Sequence, residues 1–433
     1  MKKILNNGLT IVCKDVNKFE EVSLTFKCGH INEPLVGIAS VYEKIVASNS
    51  PKLGSILGGS MTSFVLRNTD GVNTISKAIK ALFKGCVKIP VTQISLASAV
   101  ADIVKHTEDL APLPERQVKL AYKHTAFGNS TLWQTDEYLE KLEELTTKDI
   151  AKYIEDNFVG GNIVISYCGP EDDIDEVADV VEKYFGKLPA GNKNADCNLN
   201  YTGGFQFIQG EGNSRVARFG WYLPKEYNTA ETNILMSMLA GRLERSTAEA
   251  KIEADTTVKI AGYFGLRTLC ITLKCFGKRN FDTAVNIVLE NIKRLQTSEA
   301  SDRRMETTRS RAAIERLCIS NEALPRSVEA AWALLGRNID YDVDSIISNL
   351  YNVTAHDVKI AAREIFSQKP TVVFYTRKPH ITFDKIVKTI AYVDENGSAA
   401  KSQEATAPND VDDLDLTDTE KAAIERIDAC NPA

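Results

Sequence analysis

The sequence of 433 residues is poor in patterns that bind metals or form disulfides. Its five histidines never pair at the spacing by which one helix or turn offers two ligands to an ion. Its nine cysteines are odd in number, scattered, and contain no Cys-x-x-Cys. The closest two, Cys270 and Cys275, are expected on opposite faces of one strand. The pattern favours buried free thiols in a reducing compartment, and we expect no metal and no cofactor in this chain.

Long apolar runs and an excess of positive charge are also missing. The most apolar stretch, residues 260–276, falls short of the roughly 20 apolar residues that span a bilayer, and Arg267 and Lys274 interrupt it. The net charge of −6 gives no reason to expect a nucleic-acid partner. The first residues are too short for a secretory signal and do not form an obvious mitochondrial presequence. We expect a protein that has no transmembrane segment and is at most peripheral to a membrane.

The chain contains an internal repeat. Three residues of the first half recur in the second half at a constant offset of 208 residues, as in 357 − 149. The pairs are Asp149 and Asp357, Phe158 and Phe366, and Tyr167 and Tyr375. In both halves a threonine predicts the helix cap, a helical stretch follows, and an apolar run predicts a strand. Three matches without a gap indicate duplication.

Each half reads as strand, strand, helix, further strands and helices, and then helix–strand–helix. This order favours an α+β fold of two similar domains, each a largely antiparallel sheet with helices over one face. We place an N-terminal domain at 1–188, a linker at 189–200, a C-terminal domain at 201–395 and an acidic tail at 396–433. The tail is expected to be mobile, either as a recognition segment for a basic partner or as a solvated end.

The segment Ser40-Val41-Tyr42-Glu43-Lys44 carries the most information about function. It follows a Gly29-x-x-x-Glu33-Pro34 turn. The arrangement resembles the pitrilysin-like (M16) metallopeptidase superfamily, in which such a turn leads into a helix carrying His-x-x-Glu-His. Two imidazoles four residues apart share a helix face and hold zinc, and the glutamate polarises the zinc-bound water.

In this chain Ser40 and Lys44 stand at the two ligand positions, and only Glu43 remains. A hydroxyl is a poor zinc ligand, and a protonated lysine has no free lone pair. The superfamily's third ligand, a glutamate on a later helix, would fall near His106 and Glu108. We therefore expect no metal site and no catalytic residue, and we predict that the chain is not an enzyme. Glu43 could be a remnant catalytic base, but we favour a carboxylate that pairs with Lys44 or another neighbour or is solvated.

The resemblance covers roughly residues 3–390. It includes Gly58-Gly59 after the motif helix, Leu145–Ile150 leading to Cys168-Gly169-Pro170, and Lys183–Pro189 at the close of the first half. What it implies is the duplicated pitrilysin-like (LuxS-like metallohydrolase) fold. The α+β order read from the residues agrees with it.

Within the superfamily, Asn200–Gly204 and Ala240–Ser246 are similar to the core-protein-2 group of mitochondrial cytochrome bc1 subunits. This resemblance implies a noncatalytic structural subunit on the matrix side of the mitochondrial inner membrane. Its implied partners are a second core subunit (core protein 1, a beta-type M16 homologue), cytochrome b and the other bc1 subunits, which carry the hemes and the iron–sulfur cluster.

The alternative is the inactive alpha-type subunit of a mitochondrial processing peptidase heterodimer, which helps to bind presequences. That subunit has a long glycine-rich loop here, which this sequence lacks. An active zinc protease is disfavoured by the ligand chemistry.

Overall fold

The computed structural model describes residues 2–68, 74–128, 136–195, 199–211, 213–223, 230–261, 267–276, 278–322, 326–338 and 342–391. The first half forms a six-stranded sheet and seven helices in these residues, with a π-helical turn at Phe83–Val87. Its strands are β1 (Lys2–Ile4), β2 (Thr10–Asp15), β3 (Glu21–Phe26), β4 (Gly54–Leu57), β5 (Thr62–Arg67) and β6 (Ile163–Gly169). Its helices are α1 (Ile38–Asn49), α2 (Ile75–Leu82), α3 (Gln93–Leu110), α4 (Pro114–Phe127), α5 (Asp136–Glu143), α6 (Thr147–Asn157) and α7 (Ile174–Phe185).

The second half forms a five-stranded sheet with its own helices. Its strands are β7 (Gly204–Gln209), β8 (Ser214–Leu223), β9 (Ala254–Ala261), β10 (Arg267–Phe276) and β11 (Thr371–Thr376). Its helices are α8 (Ala230–Glu249), α9 (Lys278–Thr297), α10 (Asp302–Glu322), α11 (Arg326–Arg337), α12 (Val343–Asn352), α13 (Ala355–Phe366) and α14 (Phe383–Ile390).

The two sheets share one topology. The first has the order β1-β2-β6-β3-β5-β4 and the second β7-β11-β8-β10-β9, so that among the strands of the described residues only β1 lacks a counterpart. In each sheet one pair is parallel, β2 with β6 and β7 with β11, and the other pairs are antiparallel. The predicted α+β fold with two similar, largely antiparallel sheets is confirmed.

Corresponding helices of the two halves begin with the same cap. At α6 the Asp149 carboxylate accepts the backbone N–H of Thr146 at 2.8 Å, and the Thr146 Oγ1 accepts the N–H of Asp149 at 3.3 Å. At α13 the Asp357 carboxylate accepts the N–H of Thr354 at 2.9 Å, and the return bond is 3.2 Å. Because each cap satisfies backbone donors that the helix leaves open, the repeat is preserved in hydrogen bonding as well as in sequence.

One face of each sheet packs against helices of its own half. In β6, Ile163, Ile165 and Tyr167 point into the first core, which the buried residues of α1, α2 and α6 complete. In β8, Phe219 and Trp221 point into the second core with residues of α8, α9 and α13. This side of the structure follows the expected layer of helices over one face.

The opposite face of each sheet is also covered, which corrects the expectation of helices over one face. The covering helix comes from the other half: α11 packs on β2, β3 and β6, and α4 packs on β7, β8 and β11. Val164, which alternates with Ile163 and Ile165 along β6, joins Met61 and Leu334 in a separate buried cluster. The strands are apolar on both faces, and both faces must therefore leave water. We call α4 and α11 the exchanged helices.

Polar contacts accompany this exchange. The indole N–H of Trp332 in α11 donates to Ser63 Oγ in β5 at 2.8 Å. A Cβ added to Gly220 in β8 would lie 2.0 Å from the hydroxyl of Tyr122 in α4, so glycine allows the close approach of helix and strand. The two halves are thus joined by interlocked packing.

The predicted acidic tail and the predicted domain and linker bounds stay predictions. The acidic tail at 396–433 lies outside the described residues, as do residues 196–198 of the predicted linker. The bounds 1–188 and 201–395 remain predictions, although the described part of 189–200 does lie between α7 and β7.

Candidate functional site

The motif helix α1 starts from a turn built by glycines and a buried carboxylate. Gly37 at the cap has φ 81°, a left-handed conformation that glycine adopts without strain. The Glu33 carboxylate accepts the N–H of Gly37 at 2.6 Å and that of Ala39 at 2.9 Å. Burial raises the pKa of Glu33 to about 8, while these two hydrogen bonds act in the opposite direction. Glu33 therefore serves to cap the helix.

The glycines that carried the sequence resemblance meet in space. A Cβ on Gly29 would lie 2.4 Å from the carbonyl oxygen of Gly58 and 2.5 Å from that of Gly59. Next to Gly29, the backbone N–H of Ile31 donates to Gly59 O at 2.8 Å. The turn before α1 and the double glycine after β4 thus form one close backbone contact that only glycine permits.

The three degenerate motif positions lie on α1 with structural partners. Ser40 is 8% exposed, and its Oγ accepts a hydrogen bond from the Tyr138 hydroxyl of α5 at 3.2 Å. Glu43 is half-buried and accepts a hydrogen bond from Ser55 Oγ in β4. This is the neighbour-paired role that we favoured for Glu43. Lys44 lies one turn after Ser40 and is half-buried. A hydroxyl, an ammonium group and one carboxylate cannot together hold a divalent ion.

The candidate third ligands do not complete a site. His106 and Glu108 are exposed on α3, and it is Thr107 between them that is buried. Across the residues that the structure describes, no group of three or more His, Cys, Asp and Glu side chains is placed to hold a metal ion.

The strand cysteines lie as predicted. Cys270 and Cys275 are both buried; the first joins the cluster under α4, and the second joins the core on the opposite face of β10. Burial raises the pKa of Cys275 to about 11, which suppresses its thiolate and its reactivity.

Sequence reasoning missed a positively charged patch between the two halves. Arg116, Lys119 and Lys123 recur at spacings of three and four along α4, next to Arg218 of β8; we call these four residues the cationic cluster. Burial, followed by the charges of the other three members, lowers the pKa of Lys123 to about 7. The Arg218 guanidinium lies 4.7 Å from the centre of the Tyr122 ring. The helical spacing was visible in the sequence; the docking of α4 on the other half's sheet was not.

The described helices give no candidate for a membrane span: none combines enough length with enough apolar character.

Comparison with known protein families gives a match over part of the chain. Residues 144–311 match the family described as the peptidase M16 inactive domain. The match agrees with the M16 resemblance read from the sequence, and the matched description, that of the inactive domain, supports the prediction that the chain is not an enzyme. No curated protein matches the sequence.

Two solved structures share the fold. A chain of complex III2 from Candida albicans, with Inz-5 bound, superposes with a TM-score of 0.78 at 15% identity, covering 90% of this chain and 100% of that one. The peptidase M16 inactive domain from Pseudomonas fluorescens superposes with a TM-score of 0.74 at 13% identity, covering 88% and 98%. The whole two-sheet architecture is therefore similar in both.

Proposed function

We propose that this chain is a noncatalytic structural core subunit of the mitochondrial bc1 complex (complex III), supporting its assembly on the matrix side of the inner membrane. The observation that carries the proposal is the fold similarity over the full length of a complex III2 chain. Ser40 and Lys44 stand where the motif has its two histidines, and the motif helix therefore lacks zinc ligands. This supports a scaffold role.

Such a subunit supplies interface area. The exchanged helices fix the two halves against each other, which gives a partner a surface that changes little on binding. The partners in this proposal are a second core subunit, cytochrome b and the other bc1 subunits, and the hemes and iron–sulfur cluster reside there. Obligate interfaces of this kind bury more than about 2,000 Å² and are apolar at their centres.

The cationic cluster weighs against the alternative of a presequence-binding subunit. Mitochondrial presequences are rich in arginine and poor in acidic residues. A surface between the halves that carries Arg116, Lys119, Lys123 and Arg218 repels such a peptide. The missing glycine-rich loop points the same way.

The test is native electrophoresis of detergent-solubilised mitochondrial membranes that contain the epitope-tagged full chain. We expect the chain to migrate with cytochrome b. A Gly220→Ala variant, which disturbs the packing of α4, should lose this migration, whereas Ser48→Ala on the exposed face of α1 should keep it. Migration as a soluble matrix heterodimer with presequence-cleaving activity would contradict the proposal.

A further inference from the structure

A small cavity lies between α8 and α10, away from the motif helix. Its volume is about 60 Å³. One water needs roughly 10–15 Å³, so the space suits a compact group of several heavy atoms. Its lining is rich in arginine and includes Arg245, Arg303, Arg304 and Arg311, together with the hydroxyl residues Ser237 and Thr308.

Ser237 provides an unfilled hydrogen-bonding position in the wall of this cavity. The side chain is 5% exposed, and its Oγ has no hydrogen-bond partner among the described residues. A buried hydroxyl without a partner costs free energy. A ligand oxygen in the cavity would accept the hydrogen bond and remove that cost.

The charge of the cavity wall selects an anion. The Arg311 guanidinium pairs with Glu315 at 3.0 Å and lies 3.7 Å from Glu244; the Glu244 side chain is largely exposed and that of Glu315 is about half exposed. Arg303 and Arg304 lie in the first turn of α10, where the helix dipole also favours negative charge. The hydroxyl of Thr308 donates to the backbone carbonyl of Arg304 at 2.7 Å, so the ligand's hydrogen bonds come from guanidinium groups and Ser237.

We propose that this cavity binds a phosphate group. Guanidinium forks match phosphate oxygens in pairs. The space admits a tetrahedral oxyanion, while the four arginines exclude cations and make an apolar occupant unfavourable. The same chemistry is offered by the headgroup of an anionic lipid and by free inorganic phosphate. The site is independent of the core-subunit function proposed above.

The first experiment measures binding of inorganic phosphate to the full chain by calorimetry, with thermal unfolding in phosphate against chloride at equal ionic strength. We expect saturable, phosphate-specific stabilisation. Ser237→Ala and Arg245→Gln should each weaken binding about tenfold or more, because each removes a hydrogen bond to the ionised phosphate group. Arg294→Gln, an equal charge change at an exposed position of α9, should bind as the unaltered chain does.

Ser237→Ala also separates binding from folding. Without phosphate it should unfold at the same temperature as the unaltered chain or higher, because it removes a hydroxyl that lacks a partner. The proposal is wrong if phosphate and chloride act alike and vesicles do not bind, or if Ser237→Ala and Arg245→Gln bind as Arg294→Gln does.

The second experiment distinguishes the two sources of phosphate. The chain is sedimented with vesicles of phosphatidylcholine alone or mixed with phosphatidylglycerol. Sedimentation only with the anionic vesicles, lost in Arg245→Gln and displaced by inorganic phosphate, identifies a lipid headgroup. Binding of inorganic phosphate without sedimentation identifies a soluble phosphate.

Discussion

Ser327, at the start of α11, donates both its backbone N–H and its hydroxyl to one oxygen of Glu21, at 2.9 and 2.8 Å. Glu21 is a buried residue of β3 in the first sheet, and the Arg67 guanidinium lies 3.8 Å from its other oxygen. A contact between residues 306 positions apart therefore fixes an exchanged helix on the sheet that it covers. The interlock of the two halves rests on this buried carboxylate as well as on apolar packing.

Removing the hydroxyl of Ser327 should weaken that interlock. Ser327→Ala leaves the backbone bond in place and loses the side-chain bond to an ionised group, at a cost of about 2 kcal/mol in the free energy of unfolding. Denaturant unfolding measures the difference. Ser48→Ala, at an exposed position of α1, is the matched control and should cost nothing measurable. Equal stabilities of the two variants would mean that the bond does not hold α11.

Gly220 and Tyr122 provide a test of the other exchanged helix. Gly220→Ala places a methyl group on the Tyr122 ring and should destabilise the chain by about 1–3 kcal/mol, as overpacking does. Adding Tyr122→Ala removes the obstacle, so the double variant should be more stable than the sum of the two single changes predicts. Thermal unfolding of the four proteins gives the coupling. Additive effects would contradict the contact between α4 and β8.

The two matched caps should respond alike to mutation. Thr146→Ala and Thr354→Ala each remove a cap and should each cost about 1 kcal/mol at neutral pH. Hydrogen bonds from the threonines hold the pKa of Asp149 and Asp357 below the usual range. This contribution is therefore present at neutral pH and is lost as the pH falls through the acid range. Urea unfolding of each variant and of the unaltered chain, at neutral pH and at acid pH, measures this contribution.

Thr297→Ala is the control for these caps, since the Thr297 hydroxyl bonds back to the carbonyls of Lys293 and Arg294 in its own helix. It should change stability little. A loss of stability in only one of Thr146→Ala and Thr354→Ala would show that the cap stabilises one half and not the other.

Features of this chain that depend on residues close together in the sequence were predictable, whereas features that depend on contacts between distant residues were not. The caps at Thr146 and Thr354 are local, because threonine and aspartate three residues apart complete them, and they were predictable. The replacement of zinc ligands at Ser40 and Lys44 was likewise readable from residue chemistry. The apolar face of α11, with Leu334 buried, says that the helix is covered but not by which sheet. The exchange and the cationic cluster depend on that long-range choice.

Lys123 should make stability depend on pH. Its pKa is about 7 in the folded chain and 10.5 ordinarily, so the unfolded chain binds more protons between these values and stability rises with pH there. Lys123→Met removes the charge that Lys119, Arg116 and Arg218 oppose. The variant should unfold a few degrees higher than the unaltered chain at pH 6, and this gap should narrow towards pH 9. The control Lys148→Met, on the exposed face of α6, should unfold at the same temperature as the unaltered chain at every pH in this range.

The degenerate motif predicts that the purified native chain carries only substoichiometric zinc. Ser40 offers a hydroxyl that Tyr138 already occupies, and His106 and Glu108 point to solvent rather than completing a site. The double variant Ser40→His with Lys44→His should gain weak zinc affinity at most and no peptide hydrolysis, because two imidazoles without a third ligand do not hold the ion in a catalytic geometry. Elemental analysis before and after chelation measures the content, with Ser40→Ala and Lys44→Ala combined as control. One zinc per native chain, removed by chelator, would mean that ligands other than these positions bind metal.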